Sequence, residues 1–183
     1  RAVWSLGVGN QYAVGELGVG AFDLGLRVNR TLGVRRSLFA YLRAGAGLGF
    51  DPLVDEARDG YRGTAKLQRF PAELGLGWQR PGGWIVPQLS MGVASDITWV
   101  QAVGDDLRRL SQWLAAPQAV IEAAAQLPVS RRFYVRLSGA GVAQLVRYEF
   151  FSSSNADARQ NPVFSLPARR VQARLSLEVG FSL

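Results

Sequence analysis

Period-two alternation of apolar and polar residues, repeated along most of the chain, limits what this sequence can fold into more than any other feature. Its clearest instance is the terminal VQARLSLEVGFSL, where Val171, Ala173, Leu175, Leu177, Val179, Phe181 and Leu183 interleave with Gln172, Arg174, Ser176, Glu178, Gly180 and Ser182. Successive side chains of an extended strand point to opposite sides, so the pattern specifies a strand with one apolar and one polar face. The same period runs through residues 37–50, 67–80 and 84–94, and through AVWSLGVGN near the start. Residues 16–29 alternate with a slip of phase between Ala21 and Phe22, which predicts a bulge there. Residues 133–150 read as strand with the phase open around Gly139 to Val142. In DDLRRLSQWLAAPQAVIEAAAQLP a strand is placed from Trp113, preceded in the loop by a short helix capped by Asp105. Pro71, Pro87 and Pro117 fall within these strands, although proline withholds a ladder donor.

Eight strands result, and the connections after the first hairpin, NQYAVGE, alternate in length. NRTLGVRRS, RPGG and PVSRR are short; DPLVDEARDGYRGTAK, SDITWVQAVGDDLRRLSQ and FFSSSNADARQNPVFSLPA are long. The expected fold is all-β: an eight-stranded antiparallel up-and-down transmembrane barrel over residues 1–183, with short periplasmic turns and long extracellular loops. No apolar run is long enough for a transmembrane helix. The chain starts at Arg1 without a signal pattern, which predicts a mature form or a piece of a longer protein.

The polar face of the strands is mostly Gly, Ser and Gln with a few charges, Glu16, Asp23, Glu73, Glu122 and Glu178 beside Arg27, Arg43, Arg136 and Arg174. Small residues and balanced charges suit the confined interior of an eight-stranded barrel and not a solvated exterior. Aromatic residues sort to the strand ends: Trp4, Phe39, Tyr41, Trp78, Trp84, Phe133, Tyr134 and Phe181 toward the short turns, Phe50, Phe70, Trp113, Tyr148 and Phe150 toward the long loops. Two such girdles mark the two membrane interfaces. The net charge of +7 sorts as well. Arg1, Arg30, Arg35, Arg36, Arg80, Arg131 and Arg132 fall at the short-turn end with no acid among them, and the remaining bases balance all the acids. That rim would meet phospholipid phosphates or an acidic periplasmic or envelope partner, or simply be solvated.

In this pattern the chain resembles the small eight-stranded outer-membrane barrels of the OmpA/OmpX type. LSLEVGFSL resembles their C-terminal sorting signal, but ends on Leu183 with the Phe two residues earlier. The resemblance implies the bacterial outer membrane and a role in anchoring, adhesion or envelope integrity.

With no His and no Cys, the chain lacks the usual general base, the usual zinc ligands and disulfides. No catalytic site, cofactor or metal is expected. The Gly-x-Gly pairs never extend to a nucleotide-binding fingerprint, the cluster Asp51, Asp55, Glu56, Asp59 lacks EF-hand spacing, and Asp105 and Asp106 are adjacent loop carboxylates. Nucleic acid is not an expected partner, since no basic stripe interleaves aromatics on one element. The leading reading is a non-catalytic anchor or interaction subunit. A narrow conduit and a soluble lipocalin-like carrier with its apolar faces inside are the alternatives.

Overall fold

A computed structural model describes residues 3–14, 20–33, 35–51, 63–104, 107–146, 148–150, 164–166 and 171–183. Ten strands follow in chain order: β1 (Trp4–Val14), β2 (Gly20–Leu32), β3 (Leu38–Asp51), β4 (Gly63–Gln79), β5 (Val86–Gly104), β6 (Leu107–Pro128), β7 (Phe133–Gln144), β8 (Tyr148–Phe150), β9 (Phe164–Leu166) and β10 (Val171–Ser182). Eight of them, β1–β7 and β10, close an antiparallel barrel, while β8 and β9 form a separate two-stranded sheet.

The ladders fix the barrel's geometry. Following paired residues round the wall leads from Trp4 through Arg30, Ala40, Leu76, Met91, Ile121, Gly141 and Ala173 to Val14, ten residues beyond the start on the same strand. A stagger of that size across eight strands requires a tilt of roughly 40° and leaves an interior just wide enough for side chains. The seam between first and last strands is tied at its lower end by Leu183 N donating to Trp4 O at 2.8 Å, and on the other side of β10 Ser182 N donates to Arg132 O, just before β7, at 2.7 Å.

Several expectations are corrected. The β1–β2 register runs unbroken from Val14–Gly20 to Trp4–Arg30, so no bulge separates Ala21 from Phe22; among the described residues the one register shift in the barrel ladders lies at Ala102/Gly104. Inward and outward residues alternate through Gly139 to Val142 without a slip. No short helix precedes Trp113: β6 starts at Leu107, and residues 95–104, placed in a loop by the sequence, belong to β5. Most of the long connection between β5 and β6 is therefore a tall antiparallel pair reaching Gly104 and Leu107, because cross-strand pairing outweighs the helix propensity of a short, Arg- and Leu-containing stretch. The seventh strand ends at Gln144, not near residue 150, and Tyr148–Phe150 pairs with Phe164–Leu166 instead.

The prolines find tolerable places. Pro117 O accepts from Leu145 N at 2.9 Å, just past the end of β7, and Pro87 O accepts from Arg80 N at 3.1 Å, just past the end of β4. Amide and carbonyl of one strand residue face the same neighbour, so each missing donor falls at a ladder's end. Pro71 sits mid-wall, and there the β3–β4 ladder loses its pairs between Ala44–Ala72 and Gly47–Arg69.

Above the point where β6 leaves β7, residues 107–117 of β6 pair with β5 alone, roughly 35 Å of strand. With the upper part of β4, itself paired to β3 up to Asp51–Ala65, they make a wing on one side of the barrel.

Candidate functional site

Strand alternation sends every second barrel residue inward, and much of what it carries there is polar. Arg27, Arg43, Glu73, Glu122, Arg136, Arg174 and Glu178 are all buried. Glu122 is the hub. Its carboxylate accepts from Arg27 Nη1 at 2.9 Å, Ser138 Oγ at 3.0 Å, Ser90 Oγ at 3.2 Å and the Arg136 guanidinium. Arg136 donates through Nε to Gln88 Oε1 at 2.8 Å and lies 3.6 Å from Glu178 Oε2. Glu178 in turn accepts the Tyr134 hydroxyl at 3.1 Å.

A second arm starts from Arg27, whose guanidinium carbon lies 4.0 Å from the centre of the Tyr41 ring. The Tyr41 hydroxyl donates to Glu73 Oε1 at 2.8 Å, and Arg174 Nη2 donates to Glu73 Oε2 at 2.6 Å. Arg27 Nε also donates to Asn29 Oδ1 at 2.8 Å, and Asn29 Nδ2 donates to Ser5 Oγ at 3.1 Å. The network therefore touches all eight barrel strands. Buried charges are tolerated only when paired and hydrogen-bonded, and breaking one such pair costs about 3–5 kcal/mol. Among the described residues Arg27 Nη2, Arg174 Nε and Gln144 Oε1 are the buried side-chain atoms without a hydrogen bond.

The lumen is filled in levels, read off β7 as Tyr134, Arg136, Ser138, Ala140, Val142, Gln144. Above the charges lies an apolar collar of Ala94, Val120 and Val142 with Ala140 packed against it. Above the collar come an Arg69–Asp96 ion pair, with Arg69 Nε at 2.8 Å from Asp96 Oδ2, and a Gln144–Gln172 contact of 3.4 Å.

Large inward side chains fit because glycines face them. Phe39 pairs with Gly77, Tyr41 with Gly75 and Tyr134 with Gly180. A Cβ on Gly77 would come within 2.3 Å of the Phe39 ring, and one on Gly180 within 2.3 Å of Tyr134. This corrects the girdle assignment of Phe39, Tyr41 and Tyr134: all three are buried in the lumen, held on the inward register over cleared wall.

The outer surface is the reverse. Leu24, Leu26, Leu42, Leu74, Leu76, Met91, Ile121, Leu137, Leu175, Leu177 and Val179 are exposed, forming a belt round the barrel far beyond any patch a water-soluble monomer carries. A belt of that kind requires lipid. The soluble-carrier alternative, which needs these faces inside, is overturned.

Of the girdle residues at the short-turn end, Trp4, Trp78, Trp84 and Phe133 are exposed, and Phe181 is half-buried with its ring centre 6.5 Å from that of Phe133. Toward the other end Phe70 and Trp113 are exposed with ring centres 5.8 Å apart, and the Trp99 ring lies tilted against Trp113 with centres 5.0 Å apart. Tyr148 stands outside the barrel wall, its hydroxyl donating to Ala115 O at 2.7 Å. Arg30, Arg35, Arg36, Arg80, Arg131 and Arg132 are exposed on the short-turn rim. Arg1, Glu16 and the side chains of Asp23, Phe50 and Phe150 lie outside the described residues, as do the calcium-cluster candidates Asp55, Glu56 and Asp59 and the side chain of Asp51, and also Asp105 and Asp106.

Sequence reasoning missed the network's neutral members and its upper ion pair. Asn29 and Ser138 stand two residues from Arg27 and Arg136 on the same face, and a scan for polar residues sharing the parity of a lumen charge finds both. Arg69 and Asp96 share the parity of Glu73 and Ser90 in the same way.

No protein family and no curated protein matches the sequence. Solved structures do match. A major outer membrane protein from Thermus thermophilus aligns over 100% of both chains with a TM-score of 0.70 at 12% identity. The outer membrane protein OprG of Pseudomonas aeruginosa aligns over 100% of this chain and 95% of its own, with a TM-score of 0.56 at 11% identity. The N-terminal β-barrel domain of Pseudomonas aeruginosa OprF aligns over 99% and 97%, with a TM-score of 0.54 at 13% identity. The shared property is the fold: a closed eight-stranded antiparallel barrel of the bacterial outer-membrane type.

Proposed function

From an outer-membrane barrel with apolar staves outward and ion pairs within, we propose a non-catalytic role: the chain anchors an interaction surface in the Gram-negative outer membrane and does not conduct. The observation that carries this reading is the Glu122-centred network, which ties all eight strands across the lumen beneath an apolar collar of Ala94, Val120 and Val142. Ions would have to break several buried charge pairs in succession to pass. The absence of His from the sequence supports a non-enzymatic role, since outer-membrane hydrolase chemistry would lack its usual base. The surface presented is the wing of β4, β5 and β6. Among the described residues the outer edge of β6 above Pro117 has no neighbouring barrel strand; the Tyr148 hydroxyl bonds it at Ala115 O, and the edge beside that contact offers a template to a partner.

The test is reconstitution in planar bilayers together with heat-modifiable gel migration. The expected result is a compact, faster-migrating unheated form and no sustained single-channel steps. Reproducible steps would favour the narrow-conduit alternative, and a water-soluble protein without heat-modifiable migration would end the reading altogether.

A further inference from the structure

Each hairpin at the short-turn end carries arginine beside an exposed apolar side chain of the belt. Arg35 and Arg36 lie between exposed Leu32 and Leu38; Arg80 lies between Trp78 and Trp84, the latter 81% exposed; Arg131 and Arg132 precede exposed Phe133. Between β1 and β2 the Arg30 guanidinium carbon lies 5.1 Å from the centre of the Trp4 ring. No Asp or Glu occurs from Leu24 to Phe50, from Leu74 to Ser95 or from Ala123 to Tyr148. The turns are also braced. Gln79 Nε2 donates to Arg36 O at 2.9 Å, holding a residue with φ of 53°, and Ser130 Oγ accepts from Arg132 N at 3.3 Å and Phe133 N at 3.0 Å.

We infer that this rim is a binding collar for the phosphate groups of anionic phospholipids in the inner leaflet of the same membrane. The inference rests on the membrane-spanning reading above. Its specific support is the pairing of charge with belt: a ligand that meets Arg80 and Trp84, or Arg30 and Trp4, must join an anion to acyl chains. An acidic protein approaching from the aqueous side would satisfy the arginines and leave the rings to lipid regardless. Planar guanidinium groups bind phosphate oxygens in bidentate fashion, and an anionic surface attracts each nearby arginine enough to change affinity about fivefold.

Native mass spectrometry of the folded protein in detergent, titrated with phosphatidylglycerol or phosphatidylcholine of equal chain length, tests the collar. Wild type retains phosphatidylglycerol preferentially. R35Q/R36Q and R131Q/R132Q each weaken that retention by roughly tenfold or more, replacing all six rim arginines by Gln abolishes the headgroup preference, and replacing all six by Lys leaves a weakened preference, because the charge stays and the bidentate contact is lost. Equal retention of the two lipids by wild type, or an undiminished preference in the six-Gln protein, overturns the proposal. Displacement of phosphatidylglycerol by millimolar inorganic phosphate would assign the site to free phosphate, and displacement by a polyglutamate peptide would assign it to an acidic protein; either result overturns the lipid assignment. Should the six-Gln protein fail to fold, the two double variants decide. Heat-modifiable migration run alongside separates the two readings: if wild type keeps it but shows no lipid preference, the collar alone fails.

Discussion

Glu122 shows how a single side chain can organise the interior. It faces Arg27 and Arg136 at once and accepts from Ser90 and Ser138, so its loss leaves two buried guanidinium groups short of a counter-charge. Glu122→Ala is expected to destabilise the barrel by about 3–5 kcal/mol, read from urea unfolding in lipid vesicles with heat-modifiable migration as the probe. A loss below about 1 kcal/mol would mean that water already screens the pair. Gly180 makes the complementary point. Its neighbour across the ladder is Tyr134, whose ring occupies the space a Cβ would need. Gly180→Val should cost about 1–3 kcal/mol in the same assay, and Gly180→Val combined with Tyr134→Ala should cost less than the two changes summed.

The strands differ in how well they are partnered. β6 has neighbours on both sides from Gln118 to Pro128, but from Leu107 to Pro117 it has only β5. Since Pro117 O faces β7, the amides of Trp113 and Ala115 point to that same side, where no barrel strand remains, while those of Ile121 and Ala123 are opposed by Gly141 and Gly139. Hydrogen exchange should therefore run roughly a hundredfold faster or more at Trp113 and Ala115 than at Ile121 and Ala123, and equal protection would show the edge to be covered. The strand periods were legible in the sequence because alternation is a local property. The extent of β5 and β6 was not. In 95–112, charged, polar and apolar residues mix, and only pairing across the hairpin makes that segment a strand.

At the scale of the whole molecule, the decisive property is which face meets lipid. Leu177 lies on the belt and its neighbour Glu178 lies in the lumen, 49% exposed against 2%. Leu177→Arg should lower stability in bilayers by about 2–4 kcal/mol, whereas in a soluble carrier the same change would bury a charge in the core and prevent folding in water as well. Recovery of a folded, detergent-free monomer from that variant would contradict the arrangement described. The number of barrel strands, their two faces and the parity that turns Arg27, Arg43, Glu73, Glu122, Arg136, Arg174 and Glu178 inward could be read from the chain alone, because each follows from period and position along one strand; the Arg69–Asp96 pair was missed. Which charges meet, the inward turn of Phe39, Tyr41 and Tyr134 over glycines, and the rise of the wall on one side emerged only once the barrel closed. These depend on its ten-residue stagger, and such a register is a relation between strands that no single stretch of chain contains.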